Sequence, residues 1–187
     1  MILGGMSEPF FIIMTLQEAK KELYALRNGI MADYLRKAGD AHPYIFGVSL
    51  AQIIELARTI GHDGALARAL WNDGKCRESR ILALTIMPTE DVDLDFAKTI
   101  IADIPNVEIA DIACHRLLRN LPFAWQLAEE NAAADNTLRL YIALRLLVNL
   151  DAIGKIKNHS DLVRIVEGMP DSPLFAAMKQ ELLSPED

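Results

Sequence analysis

The chain has 187 residues, of which 51% are hydrophobic and 24% charged, with a formal net charge of −7 at pH 7. This composition is that of a globular domain and excludes a disordered chain, and no apolar run reaches the roughly 18 residues that span a bilayer. The acidic balance excludes a surface coated with phosphate-binding side chains, because non-specific DNA affinity comes from lysine and arginine. The charge is uneven, since residues 88–111 hold seven acids and one base whereas residues 112–164 hold seven bases and five acids.

The first 14 residues are apolar but lack the basic region and the small-residue cleavage site of a signal peptide. We therefore predict an apolar leader over residues 1–14, a candidate for disorder, followed by a single helical-repeat domain over residues 15–187. Neither a signal peptide nor a membrane anchor is expected.

Capping signals divide the first half of the chain into helices. Thr15 opens a capping box with the carboxylate three residues later, which predicts a helix that runs to about Leu35. Ser49 opens a second capping box, and Gly61 is expected to close that helix. Two further helices are predicted over residues 64–72 and 76–87.

The two cysteines, Cys76 and Cys114, match no metal-ligand spacing and are too few for a disulfide scaffold. We interpret them as buried thiols of a protein in the reducing cytoplasm. The histidines at the predicted turns have no second ligand at metal spacing. No metal and no other cofactor is therefore expected.

The second half continues as helices. Asp93 caps a helix that ends at Pro105, and Asn106 caps a helix that runs to Leu121. A short helix follows over residues 123–131, and residues 137–150 are apolar nearly all round, which predicts burial on both sides. The last two helices are predicted to start at residues 160 and 172.

No segment alternates with a period of two, so strands are not expected. Helix pairs spaced by roughly 35–45 residues are typical of HEAT-like or armadillo-type arrays. We therefore predict an all-α fold, a HEAT-like/armadillo-type helical-repeat superhelix (α-α superhelix), with an irregular helical bundle as the alternative.

A polar stripe lies on the helix that starts after Asn106, opposite its apolar face. Its members are Glu108, Asp111, His115 and Arg119. The stripe is interpreted either as a solvated face with charge pairs worth about 0.2–0.5 kcal/mol each or as a functional site. A nucleophilic pair of Cys114 and His115 is disfavoured, because Cys114 falls on the apolar face while His115 points away.

Three parts of the sequence together carry a family resemblance. They are Met31–Lys37 with Pro43–Val48, then Leu70–Leu84, then Ile104–Asp111 with Leu138–Leu144. In this order and spacing they resemble the DNA alkylation repair family of AlkD-like alkylpurine DNA glycosylases, which are built from HEAT-like repeats. The resemblance covers about residues 16–165.

The resemblance implies roles for particular residues. Asp111 matches the family aspartate that stabilises the cationic sugar of the damaged nucleotide and orients the attacking water. Val107 stands where the family has a tryptophan, and Arg139 matches an arginine that holds the DNA backbone. We expect Arg119 and Arg145 to contribute further DNA contacts. A structural role is expected for Trp71, Glu78 and Arg80.

Two functions remain open from the sequence. The first is a glycosylase that releases N3- or N7-alkylated purines from duplex DNA, without a membrane association. The second is a catalytically weak or inactive HEAT-like repeat module that binds DNA structure or a protein partner.

Overall fold

The computed structural model describes residues 13–184. Within this range the chain forms eleven α-helices and no strand, so the predicted all-α fold is confirmed. The helices are α1 (Leu16–Ala25), α2 (Gly29–Lys37), α3 (Leu50–Ile60), α4 (Gly64–Asp73), α5 (Arg77–Ile86), α6 (Leu94–Ala102), α7 (Val107–Arg116), α8 (Ala124–Ala132), α9 (Thr137–Asp151), α10 (His159–Gly168) and α11 (Ala176–Leu183). The predicted leader lies outside the described residues except for residues 13 and 14, which precede α1.

The predicted caps set most of these boundaries. Both hydrogen bonds of the Thr15 capping box are formed, and so are both bonds of the Ser49 box. Gly61 ends α3 with a φ of 76°, a backbone conformation that side chains disfavour. Asp93 caps α6 and Asn106 caps α7 through their side-chain oxygens. Local hydrogen-bonding chemistry therefore fixes where these helices begin and end.

The predicted first helix is wrong, because the chain breaks it into α1 and α2. Asn28 caps α2 through a side-chain bond to the Met31 amide. The Asn28 amide itself donates to the Phe46 carbonyl at 2.8 Å, which takes it out of any continuous helix. The break therefore depends on a loop 18 residues later in the sequence, which local patterning does not reveal.

Two later boundaries also differ from the prediction. The helix from Asn106 ends at Arg116 rather than at Leu121, and a 3-10 turn, Leu118–Asn120, follows. The last helix starts three residues after Pro173, because residues 173–175 form a turn. Both cysteines are free and buried, as expected.

The chain divides into two compact units at Pro88. In the first unit α4 and α5 form a hairpin, and α3 and α1 pack on it. Its largest fully buried side chains include Leu23, Ile53, Leu70 and Ile81.

A buried acid–arginine cluster in the first unit ties the loop before α3 to α5. The fully buried Glu78 carboxylate accepts the Phe46 and Gly47 amides at 3.0 and 2.9 Å. It also accepts a 2.9 Å bond from Arg77, which lies 3.8 Å from Asp40. These contacts satisfy the buried charge. Because they also hold the loop before α3, we call Glu78, Arg77 and Asp40 the loop-holding cluster.

The tryptophan of the sequence motif lies beside an arginine of the same motif. The Arg80 guanidinium carbon lies 4.5 Å from the centre of the buried Trp71 ring. Arg80 also donates to the Gly74 carbonyl at 3.3 Å, across the turn between α4 and α5. Glu78 and Arg80 thus engage different partners, as their spacing of two residues predicts.

In the second unit α8 and α9 form a hairpin, and α9 packs between α7 and α11. Eight side chains of α9 are buried, which matches its apolar composition on nearly all sides. The neighbouring hairpin of α10 and α11 repeats the arrangement, with α10 against α8. Stacked pairs of this kind bury a continuous core between neighbours. Among residues 13–184, no helix combines the length and apolarity that crossing a bilayer requires.

Candidate functional site

The polar surface shared by α7 and α9 contains the predicted aspartate. The Tyr141 hydroxyl donates to Asp111 Oδ1 at 2.6 Å. Arg145 Nε lies 2.7 Å from the same oxygen, and Arg145 Nη2 donates to the Tyr141 hydroxyl at 3.1 Å. The tyrosine hydroxyl therefore both donates and accepts, and the three side chains form one connected triad.

Helical spacing explains why these three residues meet. Tyr141 and Arg145 lie one turn apart on α9, so their side chains share a face. Along α7 and α9, successive turns meet in the same order, Asp111 with Tyr141 and His115 with Asn149. The two helices are therefore parallel. We call the surface formed by these five residues the α7–α9 face.

The triad is charged and half-exposed. The side chains of Asp111 and Arg145 are 41% and 31% exposed, whereas Tyr141 is buried. The Arg145 Nε–H is poorly aligned with the carboxylate, so their contact is an ion pair rather than a directed hydrogen bond. Burial and the hydrogen bond to Asp111 raise the pKa of Tyr141 above its ordinary value. The hydroxyl is therefore protonated at neutral pH and available as a donor.

The α7–α9 face continues one turn beyond the triad to His115. Partial burial lowers the pKa of His115, and the positive charges of Arg119 and Arg116 lower it further. The ring is consequently neutral at pH 7. Its contact with Asn149 is the second link between α7 and α9 on this face.

Val107 lies one turn before Asp111, at the first position of α7, and is partly exposed. A valine offers no flat π surface on which a base could stack. The aromatic ring that does lie at Asp111 is Tyr141, and the Arg145 guanidinium sits 5.7 Å from the centre of that ring. The aromatic ring beside Asp111 therefore belongs to α9, and position 107 supplies none.

Arg139 is not the arginine that contacts Asp111. Its Nε donates at 2.8 Å to Oδ1 of the buried Asn131 on α8. Arg139 and Tyr141 lie two positions apart in the sequence, so the two side chains leave α9 in nearly opposite directions. The guanidinium beside Asp111 belongs to Arg145, and the contact of Arg139 with the DNA backbone stays a prediction.

Arg119, another predicted DNA contact, lies outside the triad. Arg119 lies beyond the end of α7, in the 3-10 turn, and its carbonyl accepts a 3.1 Å bond from Lys155.

Cys114 is fully buried and its thiol points to the Ile142 carbonyl at 3.7 Å. Burial raises the pKa of Cys114, so the thiol is not a nucleophile in this state.

Tyr141 is the site residue that the sequence did not single out. It lies inside the stretch of residues 138–144 that carries the family resemblance, four residues before Arg145. The spacing of a phenol and a guanidinium at i and i+4 was the available signal.

Within residues 13–184, no three metal-ligating side chains cluster.

The family model of DNA alkylation repair enzymes matches residues 19–168. A solved structure described as a new family of proteins related to the HEAT-like repeat DNA glycosylases, with affinity for branched DNA structures, superposes with a TM-score of 0.75. That protein is 17% identical, over 91% of this chain and 74% of the other. No curated protein sequence matches the chain significantly. The superposition confirms the predicted HEAT-like repeat fold.

Proposed function

This chain belongs to the DNA alkylation repair enzyme family, and from that premise we propose that it is a DNA glycosylase that releases alkylated purines. The substrate is duplex DNA that carries an N3- or N7-alkylated purine, and the reaction uses the Asp111 carboxylate without a metal. The DNA lies along the α7–α9 face, where the partly exposed charged groups of the second unit meet.

One observation carries this proposal, namely that Asp111 is partly exposed and held in place by side chains of the next repeat. Tyr141 and Arg145 both approach Oδ1, so the orientation of the carboxylate is set before any ligand arrives. Pre-oriented charge is what electrostatic catalysis requires, because no reorganisation is then needed as the transition state forms.

The reaction balances with the residues of this site. The bond between the sugar C1′ and the purine nitrogen breaks, and its electron pair neutralises the cationic alkylated base as it leaves. The sugar becomes cationic and is stabilised by the negative charge of Asp111. A water oxygen bonds to C1′ while Asp111 accepts the water proton and later passes it to solvent. Arg145 is left to attract the phosphate next to the lesion.

A second candidate function follows from the pairing of Asp111 with Arg145. A carboxylate that faces a guanidinium at 2.7 Å offers less net negative charge to a sugar cation. Position 107 also supplies no stacking wall for the base. Under this alternative the chain recognises DNA structure and releases no base, which is in keeping with the branched-DNA affinity described for the structural neighbour.

The deciding experiment measures free 7-methylguanine and 3-methyladenine released from methylated duplex DNA with enzyme in excess. We expect release by the wild-type chain and a loss of at least about 100-fold in Asp111→Asn. Glu55→Gln, at an exposed carboxylate of α3 that pairs with Arg58, is the matched control and should release base at the wild-type rate. Equal release by wild type and Asp111→Asn contradicts the assigned role.

Binding measurements separate the two candidates when no base is released. A duplex and a four-way junction of the same sequence content are titrated over a salt series. Affinity for either DNA that falls steeply with salt indicates phosphate contacts and supports the structure-binding alternative. Failure to bind either DNA at low salt contradicts both candidates.

A further inference from the structure

We propose that the first unit carries a second DNA-contacting site, a cleft that takes an unpaired nucleotide of a DNA strand. The cleft has a volume of about 620 Å³ and lies between the end of α1, the α2 helix and the loop before α3. The inference deepens the proposed function, because it assigns another contact to the same partner. Its principal lining side chains are Tyr24, Arg27, Asp33, Arg36, Tyr44 and Phe46.

Exposed aromatic rings are the first feature of this cleft. Tyr24 and Tyr44 are 52% and 56% exposed, although large rings of this kind are normally covered. Tyr24 meets Phe46 edge to face, with ring centroids 5.5 Å apart and planes at 83°. Both tyrosine rings are thus partly accessible from solvent, and base stacking on aromatic rings tolerates any sequence.

Two guanidinium groups are the second feature. Arg27 lies over the Tyr24 ring, 4.2 Å from its centroid, and one of its nitrogens donates to the Tyr24 carbonyl. Arg36 is oriented by Asp33 at 3.2 Å and donates to the Ile45 carbonyl. The charged side chains that line the cleft are thus two cations and one anion, in a chain whose net charge is −7.

The walls of the cleft are fixed by backbone hydrogen bonds. The Tyr44 amide donates to the Lys75 carbonyl at 2.9 Å, and the Tyr44 carbonyl accepts from the Arg77 backbone amide at 3.1 Å. Gly47 has a φ of 74°, and a Cβ there would overlap the Asn28 carbonyl, so the loop lies directly on the start of α2. The loop-holding cluster also binds this loop, because Glu78 accepts the Phe46 and Gly47 amides. A cleft that is ordered before binding loses less entropy when a ligand enters.

The chemistry of these groups selects a nucleotide. A ligand that satisfies both the rings and the guanidiniums must combine a flat base with a negative charge, and a nucleotide carries both. The volume lies within the range of roughly 300–1,000 Å³ typical of small-molecule sites. Bases of an intact duplex are stacked on one another, so the strand must be unpaired at this point.

The test uses the full chain and a fluorescein-labelled (dT)12 strand, with binding followed by anisotropy over a salt series. Removal of the rings in Tyr24→Ala/Tyr44→Ala should weaken binding by roughly tenfold or more, whereas Tyr24→Phe/Tyr44→Phe should stay within about threefold of wild type. Arg27→Ala should reduce the slope of log affinity against log salt by about 0.7. Arg58→Ala, at an exposed arginine of α3 outside the cleft, should change neither quantity.

Several outcomes would overturn the inference. No binding of (dT)12 by wild type at low salt contradicts it, and so does wild-type affinity in the double alanine variant with an unchanged melting temperature. Capture of a glutamate-rich peptide in place of (dT)12 would assign the cleft to a protein. Base release by the wild-type chain without any binding of (dT)12 would overturn this inference alone. Binding of (dT)12 that depends on the rings, without base release by the wild-type chain, would overturn the glycosylase proposal alone. The two sites therefore fail or survive independently.

Discussion

Each unit of the molecule contains a carboxylate that faces an arginine, and the two differ in what else holds them. In the first unit Glu78 is 0% exposed and its oxygens accept two backbone amides as well as Arg77. In the second unit Asp111 is partly exposed and is contacted by the side chains of Tyr141 and Arg145. A carboxylate–arginine pair thus holds the backbone in the first unit, whereas the pair in the second unit is exposed to solvent.

The difference has an energetic basis. A buried carboxylate that loses its charge leaves its donors unsatisfied, which typically costs about 3–5 kcal/mol of stability. An ion pair in contact with water contributes only about 0–1 kcal/mol, because solvent already screens both charges. Stability measurements on matched variants therefore separate a carboxylate that supports the fold from one that is available for chemistry.

The largest expected effect is on the buried cluster. In Glu78→Gln an amide N–H₂ group must face either Arg77 or a backbone amide, which places donor against donor. We expect the free energy of unfolding to fall by about 3 kcal/mol in urea titrations. Glu55→Gln on the surface should change it by less than about 0.5 kcal/mol. A loss below 1 kcal/mol for Glu78→Gln would remove the distinction between the two clusters.

A smaller effect is expected in the second unit from Tyr141→Phe. The variant removes the hydroxyl that donates to Asp111 and accepts from Arg145, while the ring stays buried. Loss of this bond should lower the free energy of unfolding by about 1 kcal/mol. Chemical denaturation and the rate of base release are measured together. A cost as large as that of Glu78→Gln would show that the triad also supports the fold.

The smallest effect concerns the protonation of Tyr141. Burial, followed by the bond to Asp111, raises the pKa of Tyr141 above its ordinary value near 10. The phenol is then stabilising below about pH 10 and loses that contribution as pH rises through the folded-state pKa. Absorbance at 295 nm, wild type minus Tyr141→Phe, should titrate above pH 10 and shift downward in Asp111→Asn. A midpoint at or below 10 contradicts the burial of this hydroxyl.

Much of this architecture is readable from sequence where local chemistry decides it. Caps at Thr15, Ser49 and Asp93 predicted the starts of three helices, because an oxygen near a free amide acts within one turn. The break at Asn28 was missed, since its cause is a bond to Phe46 that exists only in the folded chain. Tertiary contacts of this kind leave no periodic signal.

The features of the site also divide into those that local sequence could predict and those that depend on tertiary contacts. Helical spacing could place Asp111 on the polar face of α7, and family resemblance could assign it a role. Which arginine lies beside Asp111 depends on the register of α7 against α9, which no property of either helix alone specifies. Tyr141 was missed for that reason, because its importance lies in a contact made 30 residues away along the chain.

The most direct test of the central claim compares two readouts on one preparation of Asp111→Asn. The side chain is half-exposed and the amide can still accept the Tyr141 hydroxyl, so the free energy of unfolding should stay within about 1 kcal/mol of wild type. Release of 7-methylguanine from methylated duplex DNA should fall at least about 100-fold under single-turnover conditions. Retention of the wild-type rate in a fully folded variant would contradict the account.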